Sequence, residues 1–121
     1  MIEIPNSKQY DLEERTYQFA KKVAIFCKNL PKTASNIEYI KQVIRSSGSV
    51  GANYIEANES LSKKDFIMRI KICRKEAKES AYWLRLIVET NSEEFIEEGR
   101  ILLNEAIELK KIFSTILDRS K

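Results

Sequence analysis

A row of basic residues recurs in the middle of the chain at intervals that suit one face of a helix. Lys64, Lys71, Lys78 and Arg85 are spaced by seven residues, and Lys75 falls on the same side. Positive side chains aligned in this way suit contacts with the phosphates of a nucleic acid, which supply much of the affinity of such complexes. These five residues are therefore candidates for phosphate contact.

The charge around this row also has a plain structural interpretation. Residues 61–78 contain seven Lys or Arg against two acids, whereas residues 89–108 contain seven acids against one Arg. Two antiparallel helices with these charges would match each other within one molecule, or would simply present solvated faces. The sequence leaves the interpretations open, and the net charge of +3 indicates no basic field over the whole protein.

Two other patterns exceed what a single helical bundle needs and predict a contact between copies of the chain. One is a set of small and polar residues opposite the apolar face of the second predicted helix, where another helix could approach. The other is an apolar stripe with a tryptophan, apart from the core face of the third helix, and such exposed patches usually mark interfaces. The candidates are Arg45, Ser49, Ala52, Asn53, Glu56, Met68, Ile72 and Trp83. Alternatively, both patterns are ordinary flanks of a wide core contact.

Several classes of catalytic and metal site are excluded by composition. The chain has no histidine, which removes Ser-His and Cys-His nucleophilic pairs and the Glu-x-x-His motif of di-iron bundles. Cys27 and Cys73 are too few for a zinc site, and we expect both to be reduced core residues. Glu76 and Glu79 are interpreted as salt-bridge partners rather than metal ligands. We therefore expect neither an enzyme nor a cofactor.

The elements that must position these residues are predicted to be helices. The 121 residues are 43% apolar with only three Gly and two Pro, a composition that favours long helices. Asp11, Asn36 and Ser62 are the predicted N-caps, and Pro31 ends the first helix. The predicted ranges are about 11–30, 36–60, 63–90 and 92–119. Because short links make successive helices antiparallel, the predicted fold is an all-α, up-down-up-down four-helix bundle, one domain over residues 1–121.

Apolar residues at helical spacing predict which face of each helix is buried. For the first helix these are Leu12, Phe19, Val23, Phe26, Cys27 and Leu30. For the second they are Ile37, Ile40, Ile44, Ser47, Gly51 and Ile55. For the third they are Phe66, Ile70, Cys73, Ala77, Leu84 and Val88. For the fourth they are Phe95, Leu102, Ala106, Leu109, Phe113 and Ile116.

The glycine-rich stretch "SGSVGAN" lies within the second of these patterns. The pattern keeps its register through Gly48 and Gly51, which a loop would have no reason to do. The stretch also lacks the preceding strand and the Gly-Lys-Ser/Thr ending of a phosphate-binding loop. We therefore predict a helical segment that is thin and bendable for close packing, at a cost of about 1 kcal/mol per glycine.

The middle of the chain carries a longer set of motifs. A family hallmark consists of an Arg, then Ser-Val/Ile-Pro-Ala-Asn-Ile-Ala-Glu-Gly, Ser-x-x-Glu-Phe and Ala-Arg-Gly-Ser-x-x-Glu. The residues that match it here are Arg45, Ser49, Val50, Ala52, Asn53, Ile55, Glu56, Ala57, Ser62, Asp65, Phe66, Arg74 and Glu79. On these motifs the chain resembles the four-helix bundle family of 23S rRNA intervening-sequence proteins, also labelled S23 ribosomal protein. The likeness covers about residues 11–118, with Gly51 and Asn58 where the family often has Pro and Gly.

This resemblance implies a homo-oligomer, typically a ring of five bundles, that binds RNA or DNA on a basic surface. A protein similar in fold, the accessory protein of diversity-generating retroelements, is implicated in partnering a reverse transcriptase and its RNA. Carried over to this chain, Arg45, Asn53, Glu56, Arg74 and Glu79 become candidates for a polar network near the subunit contact.

Two hypotheses of different class follow. The first is a non-enzymatic, self-assembling bundle that binds structured RNA or DNA through its basic surface. The second is a protein–protein adaptor whose ring docks a partner such as a reverse transcriptase, through the Trp83 stripe and the acidic fourth helix. The start of the chain shows no secretion signal and its apolar runs are short, so we expect a cytoplasmic protein without a membrane span.

Overall fold

The chain forms four long helices joined by short links. The computed structural model describes the backbone of residues 6–120 and the side chains of residues 11–120. The elements are α1 (Asn6–Lys28), α2 (Ala34–Asn58), α3 (Lys63–Thr90), a single 3₁₀ turn (Glu93–Phe95) and α4 (Ile96–Ser120). Each helix packs against its neighbours in sequence, and α1 also contacts α4, which closes the bundle. The predicted all-α, up-down-up-down four-helix bundle is confirmed.

Two of the three predicted N-caps are wrong. Because α1 already begins at Asn6, Asp11 lies inside it rather than at its start. The N-cap of α2 is Thr33, whose hydroxyl accepts a hydrogen bond of 3.2 Å from the backbone N–H of Asn36. The predicted cap of α3 is confirmed, since the Ser62 hydroxyl accepts the backbone N–H of Asp65 at 3.1 Å.

Asn36 instead joins three segments at one end of the bundle. Its side chain is buried, and its amide donates to the carbonyl oxygen of Pro31 at 2.9 Å and to Asn91 Oδ1 at 2.8 Å. Asn91 returns a hydrogen bond to Asn36 Oδ1 at 3.0 Å and donates to the carbonyl of Ile87 at 2.9 Å. A polar residue can be buried here because its hydrogen bonds are made. The pair ties the α1–α2 link and α2 to the end of α3.

The buried faces of α1 and α3 are those predicted. All six residues predicted for each are buried, including both cysteines, which are free thiols, although Leu30 lies just beyond the end of α1. Burial raises the pKa of the Cys27 thiol to about 11 and that of Cys73 to about 12, so both stay protonated at neutral pH. For the fourth helix the prediction holds for Leu102, Ala106, Leu109 and Phe113, whereas Ile116 and Phe95, which lies in the 3₁₀ turn before α4, are half-buried.

The predicted buried face of α2 is wrong for half of its residues: Ser47 and Gly51 are buried and Ile40 is half-buried, but the other three are not. Ile37, Ile44 and Ile55 are 56%, 41% and 50% exposed. The face that packs into the bundle is turned by about a quarter of a helical turn from the predicted one. It consists of Asn36, Val43, Ser46, Ser47, Val50, Gly51, Tyr54 and Ala57. Two of these, Asn36 and Ser46, are polar residues that the predicted face did not include, and Ser46 is buried because its hydroxyl bonds that of Ser80 at 2.8 Å.

The glycine-rich stretch is helical, as predicted. No described residue has a positive φ angle, so the glycines are not required for a turn. Gly51 is required for close packing, because a Cβ there would lie 2.9 Å from Thr16 Oγ1 on α1. A Cβ at Gly48 would meet nothing within 4 Å, so its only intramolecular effect is the poor helix propensity of glycine.

This difference predicts opposite effects of alanine at the two glycines. Gly48→Ala is expected to raise the free energy of unfolding by up to about 1 kcal/mol through helix propensity. Gly51→Ala is expected to lower it by about 1 kcal/mol, because the short Thr16 side chain is buried and bonded to two carbonyls and cannot move away. Urea denaturation of both variants checks this. An equal gain in both would contradict the close contact between α1 and α2.

Candidate nucleic-acid interface

The basic stripe, defined as Lys64, Lys71, Lys75, Lys78 and Arg85, lies along the outward side of α3. All five side chains are exposed, because the opposite side of the helix forms part of the core. From first to last the stripe extends over about 32 Å at the rise of an α-helix. The structure therefore places all five predicted phosphate-contact residues on one accessible surface.

The lysines of this stripe form no ion pair within the described part of the bundle, although the charge of Lys75 acts on the nearby Glu79 carboxylate. Arg85 Nε donates to Glu89 Oε2 at 3.0 Å, but none of the four lysines forms an ion pair with a side chain of residues 11–120. Within that range, ion pairs between helices join Arg15 to Glu105 and Arg45 to Glu76 and Glu79. The predicted charge match between α3 and α4 is thus not made by these groups, and the lysines remain available to a ligand or to solvent.

An aromatic cluster of Tyr39, Trp83 and Tyr82 borders the basic stripe. The rings of Tyr82 and Trp83 meet edge to face, with centroids 5.0 Å apart, and Tyr39 of α2 lies 6.1 Å from Trp83 on its other side. Trp83 is half-buried, whereas Tyr82 is 59% exposed. The predicted apolar stripe is therefore only partly bare: Met68 is exposed, and Ile72 and Trp83 are half-covered within the chain.

Arg45 bridges α2 and α3 through two carboxylates. Its guanidinium donates to Glu76 Oε2 at 2.8 Å and to Glu79 Oε2. Trp83 Nε1 also donates to Glu79 Oε2, at 3.0 Å. Burial alone would raise the pKa of Glu79, but the hydrogen bonds from Trp83 and Arg45 outweigh it, and the pKa is lowered. The interpretation of Glu76 and Glu79 as salt-bridge partners is confirmed, and the sequence-predicted pair Arg45 and Glu79 does meet.

A second polar contact lies further along the line where α2 and α3 pack together, which we call the α2–α3 seam. Asn53 donates to the carbonyl and the hydroxyl of Ser49 at 2.9 Å each, and its Oδ1 accepts a hydrogen bond of 3.0 Å from Arg69. Arg74 and Glu56 are exposed and make no side-chain hydrogen bond with another described side chain. By helical position Arg74 also lies on the flank of α3 away from Arg45. Within one chain, the five residues predicted as a network therefore do not form one.

The misassigned isoleucines of α2 form a surface that the sequence analysis missed. We call Ile37, Ile44, Gly48 and Ile55 the α2 stripe; they share one helical side at spacings of seven, four and seven residues. All four are exposed. A row of half-exposed isoleucines is unusual for a surface that faces only water. The spacing was visible in the sequence, but it was read as a core face.

Metal and membrane sites are not found in the described part of the chain. No group of three or more Cys, Asp or Glu side chains there is arranged to hold a metal ion. Over the same residues, no helix is both long and apolar enough to cross a lipid bilayer.

Comparison with known proteins agrees with the motifs. The family model described as 23S rRNA-intervening sequence protein matches residues 8–115. A solved structure, a protein of unknown function from the S23 ribosomal protein family of Bacteroides thetaiotaomicron VPI-5482, is 30% identical with a TM-score of 0.79. The alignment covers 92% of this chain and 98% of that one. A search of curated proteins finds no match. The chain therefore belongs to the family of 23S rRNA-intervening sequence proteins.

Proposed function

We propose that this protein is a non-enzymatic, cytoplasmic, self-assembling bundle that binds structured RNA or DNA through the basic stripe. The observation that carries the proposal is the set of four lysines that lie on one exposed face and form no ion pair with a side chain of residues 11–120. A structural role within the bundle would place these charges opposite carboxylates. A phosphate backbone provides the missing negative charge.

Self-assembly is the second element of the proposal. The α2 stripe offers aliphatic side chains, and the exposed parts of the predicted interface extend from Met68 to the aromatic cluster. Burial of such surfaces contributes about 25 cal/mol for each Å² removed from water. A ring of copies, of which five is the number implied by the family resemblance, would also repeat the basic stripe around one assembly. Repetition raises the overall avidity of contacts that are individually weak, because further contacts form within one complex.

The salt dependence of binding tests the nucleic-acid proposal. A fluorescently labelled RNA hairpin is titrated with the full chain at several salt concentrations, and anisotropy is measured. We expect the logarithm of the affinity to fall linearly with the logarithm of the salt concentration, with a slope of magnitude about 3.5 to 4.5 if all four lysines and Arg85 contribute. Absence of binding even at low salt would overturn the proposal.

A protein adaptor is the second candidate, and the α2 stripe is the observation that favours it. A partner helix could lie along these isoleucines, and a reverse transcriptase is the kind of partner that the resemblance to the retroelement accessory protein suggests. An adaptor does not need the lysines. It would therefore keep its partner after charge reversal on α3 and lose it after Ile44→Glu, which places a charge in the middle of the stripe.

A further inference from the structure

We infer that the basic stripe selects unpaired nucleotides, with one base stacked on the ring of Tyr82. This inference rests on the proposed nucleic-acid binding and names the class of nucleic acid at that surface. Tyr82 is 59% exposed, although most large apolar and aromatic side chains of α3 are at least half-buried. It therefore presents ring surface to solvent between the last two members of a row of positive charges, Lys78 and Arg85.

The register of α3 places Tyr82 within the basic stripe. Lys75 and Lys78 precede it by seven and four residues, and Arg85 follows it by three, so all four side chains lie on one side of the helix. Lys78 lies about 6 Å from Tyr82 along the helix axis and Arg85 about 4.5 Å in the other direction. Long basic side chains at these positions reach the phosphates on either side of a nucleotide whose base covers the ring.

The ring of Tyr82 is held in place before any ligand arrives. It contacts Trp83 edge to face, with centroids 5.0 Å apart. Trp83 is fixed in turn by its hydrogen bond to Glu79 and by the ring of Tyr39. Arg45 holds Glu79 from the other helix. Because this contact limits the freedom of the tyrosine before binding, less conformational entropy is lost when a base stacks on it.

An exposed ring on a convex helix favours unpaired over paired nucleic acid. In a duplex the faces of the bases are covered by their neighbours, so the ring has no base face to contact. Unpaired bases in loops, bulges and single strands are free to stack on an aromatic side chain, while basic residues follow the backbone. Such stacking tolerates any base. The inferred ligand class is therefore unpaired RNA or DNA, with little sequence preference.

Anisotropy with two probes tests this inference, using a labelled oligouridine and a blunt RNA duplex of the same length. We expect the full chain to bind oligouridine more tightly than the duplex. Tyr82→Ala is expected to weaken oligouridine binding by at least about fivefold and to leave duplex binding within about twofold, because only the stacked base is lost. Tyr82→Phe keeps the ring and is expected to retain binding. Tyr17→Ala is the matched control, since Tyr17 on α1 is also 59% exposed.

The fluorescence of Trp83 supplies an independent measure of stacking. Trp83 is the single tryptophan of the chain and lies against Tyr82, so oligouridine is expected to change its emission in the unsubstituted protein but not in Tyr82→Ala. If Tyr82→Ala binds oligouridine as well as the unsubstituted chain while charge reversal on α3 weakens binding, the stacking inference is wrong and the proposed function stands. If neither oligouridine nor the duplex binds at low salt, the stacking inference and the proposed nucleic-acid binding are both wrong.

Discussion

Reversing the charge of Lys71 and Lys78 together is expected to weaken binding of an RNA hairpin by at least about tenfold at low salt. Both lysines are exposed near the middle of the basic stripe and have no ion-pair partner among residues 11–120, so their replacement by Glu breaks no such contact in the bundle. Each lost phosphate contact is also expected to reduce the slope of the salt dependence by about one. The double variant should therefore show a slope lower by about two.

Lys21→Glu with Lys28→Glu is the matched control for this experiment. These lysines are also exposed and seven residues apart, but they lie on α1, and the double change alters the net charge by the same amount. We expect the control to weaken binding far less, because lysines on α1 make no direct phosphate contact in this proposal and a charge attracts less strongly at a greater distance. Equal losses in both variants would show that only the net charge matters and that α3 holds no specific surface. Circular dichroism of both variants confirms that the bundle is folded.

The exposure of the basic stripe could be predicted from the sequence because the core face of α3 is unambiguous. Large apolar residues such as Phe66, Ile70 and Leu84 recur at helical spacing, and polar residues fill the opposite side. When one side of a helix is fixed in this way, the position of every other residue around the axis follows from 100° per residue. Exposure of Lys71 and Lys78 was therefore predictable without any tertiary contact.

The face of α2 was not predictable by the same argument. Its most apolar residues, Ile37, Ile44 and Ile55, are half-exposed, while Ser46 and Asn36 are buried. Burial of these polar groups depends on partners on α3 and in the following link, Ser80 and Asn91. A pattern that counts apolar residues gives such positions no weight. The hydrogen-bonded pairs Ser46–Ser80 and Asn36–Asn91 form only when α2 and α3 pack side by side, so the pattern of α2 alone does not indicate them.

The candidate site, like the helices, was predictable from the sequence only in part. Arg45 and Glu79 were singled out through the family motifs, and they do contact each other. Asn53 bonds Arg69, a residue that no motif indicated. Tyr82 was also missed, because a tyrosine on the solvent side of a helix carries no signal until the position of Trp83 beside it is known. The family motifs thus identified residues of the α2–α3 seam. Which of these residues contact each other depends on how α2 and α3 are aligned along their axes, and the motifs do not give that alignment.

Arg45→Ala is expected to lower the free energy of unfolding by about 2 kcal/mol. Glu76 is only 3% exposed, and removal of the guanidinium leaves its buried carboxylate without its ion-pair partner. This loss of stability is expected to be smaller than for a fully buried ion pair. The Arg45 side chain is 53% exposed, so water can partly replace the guanidinium as the hydrogen-bond donor to Glu76. Urea denaturation measures the change. A loss below about 0.5 kcal/mol, the level of ordinary surface substitutions, would contradict this account.

Two further variants, Glu79→Gln and the double variant Arg45→Ala with Glu76→Gln, distinguish how much each carboxylate contributes to stability. Glu79 is partly exposed, so we expect Glu79→Gln to cost less than Arg45→Ala. Adding Glu76→Gln to Arg45→Ala removes the unpaired buried charge and is expected to recover part of the loss. Because the pKa of Glu79 is lowered in the folded chain, its contribution is present above its ordinary pKa and is lost as the pH falls through the lowered value. The effect of Arg45→Ala should therefore shrink in acid.

The mass of the protein in solution decides whether this contact also serves the proposed interface between copies. Arg45 and Glu79 were predicted at a subunit contact, and the structure shows that they already satisfy each other within one chain. If Arg45→Ala and Glu79→Ala change the mass measured by light scattering, the α2–α3 seam is also part of the contact between chains. If both retain the mass while stability falls, the seam acts within the bundle. The α2 stripe then becomes the leading surface for assembly, because its isoleucines have no such role inside the chain.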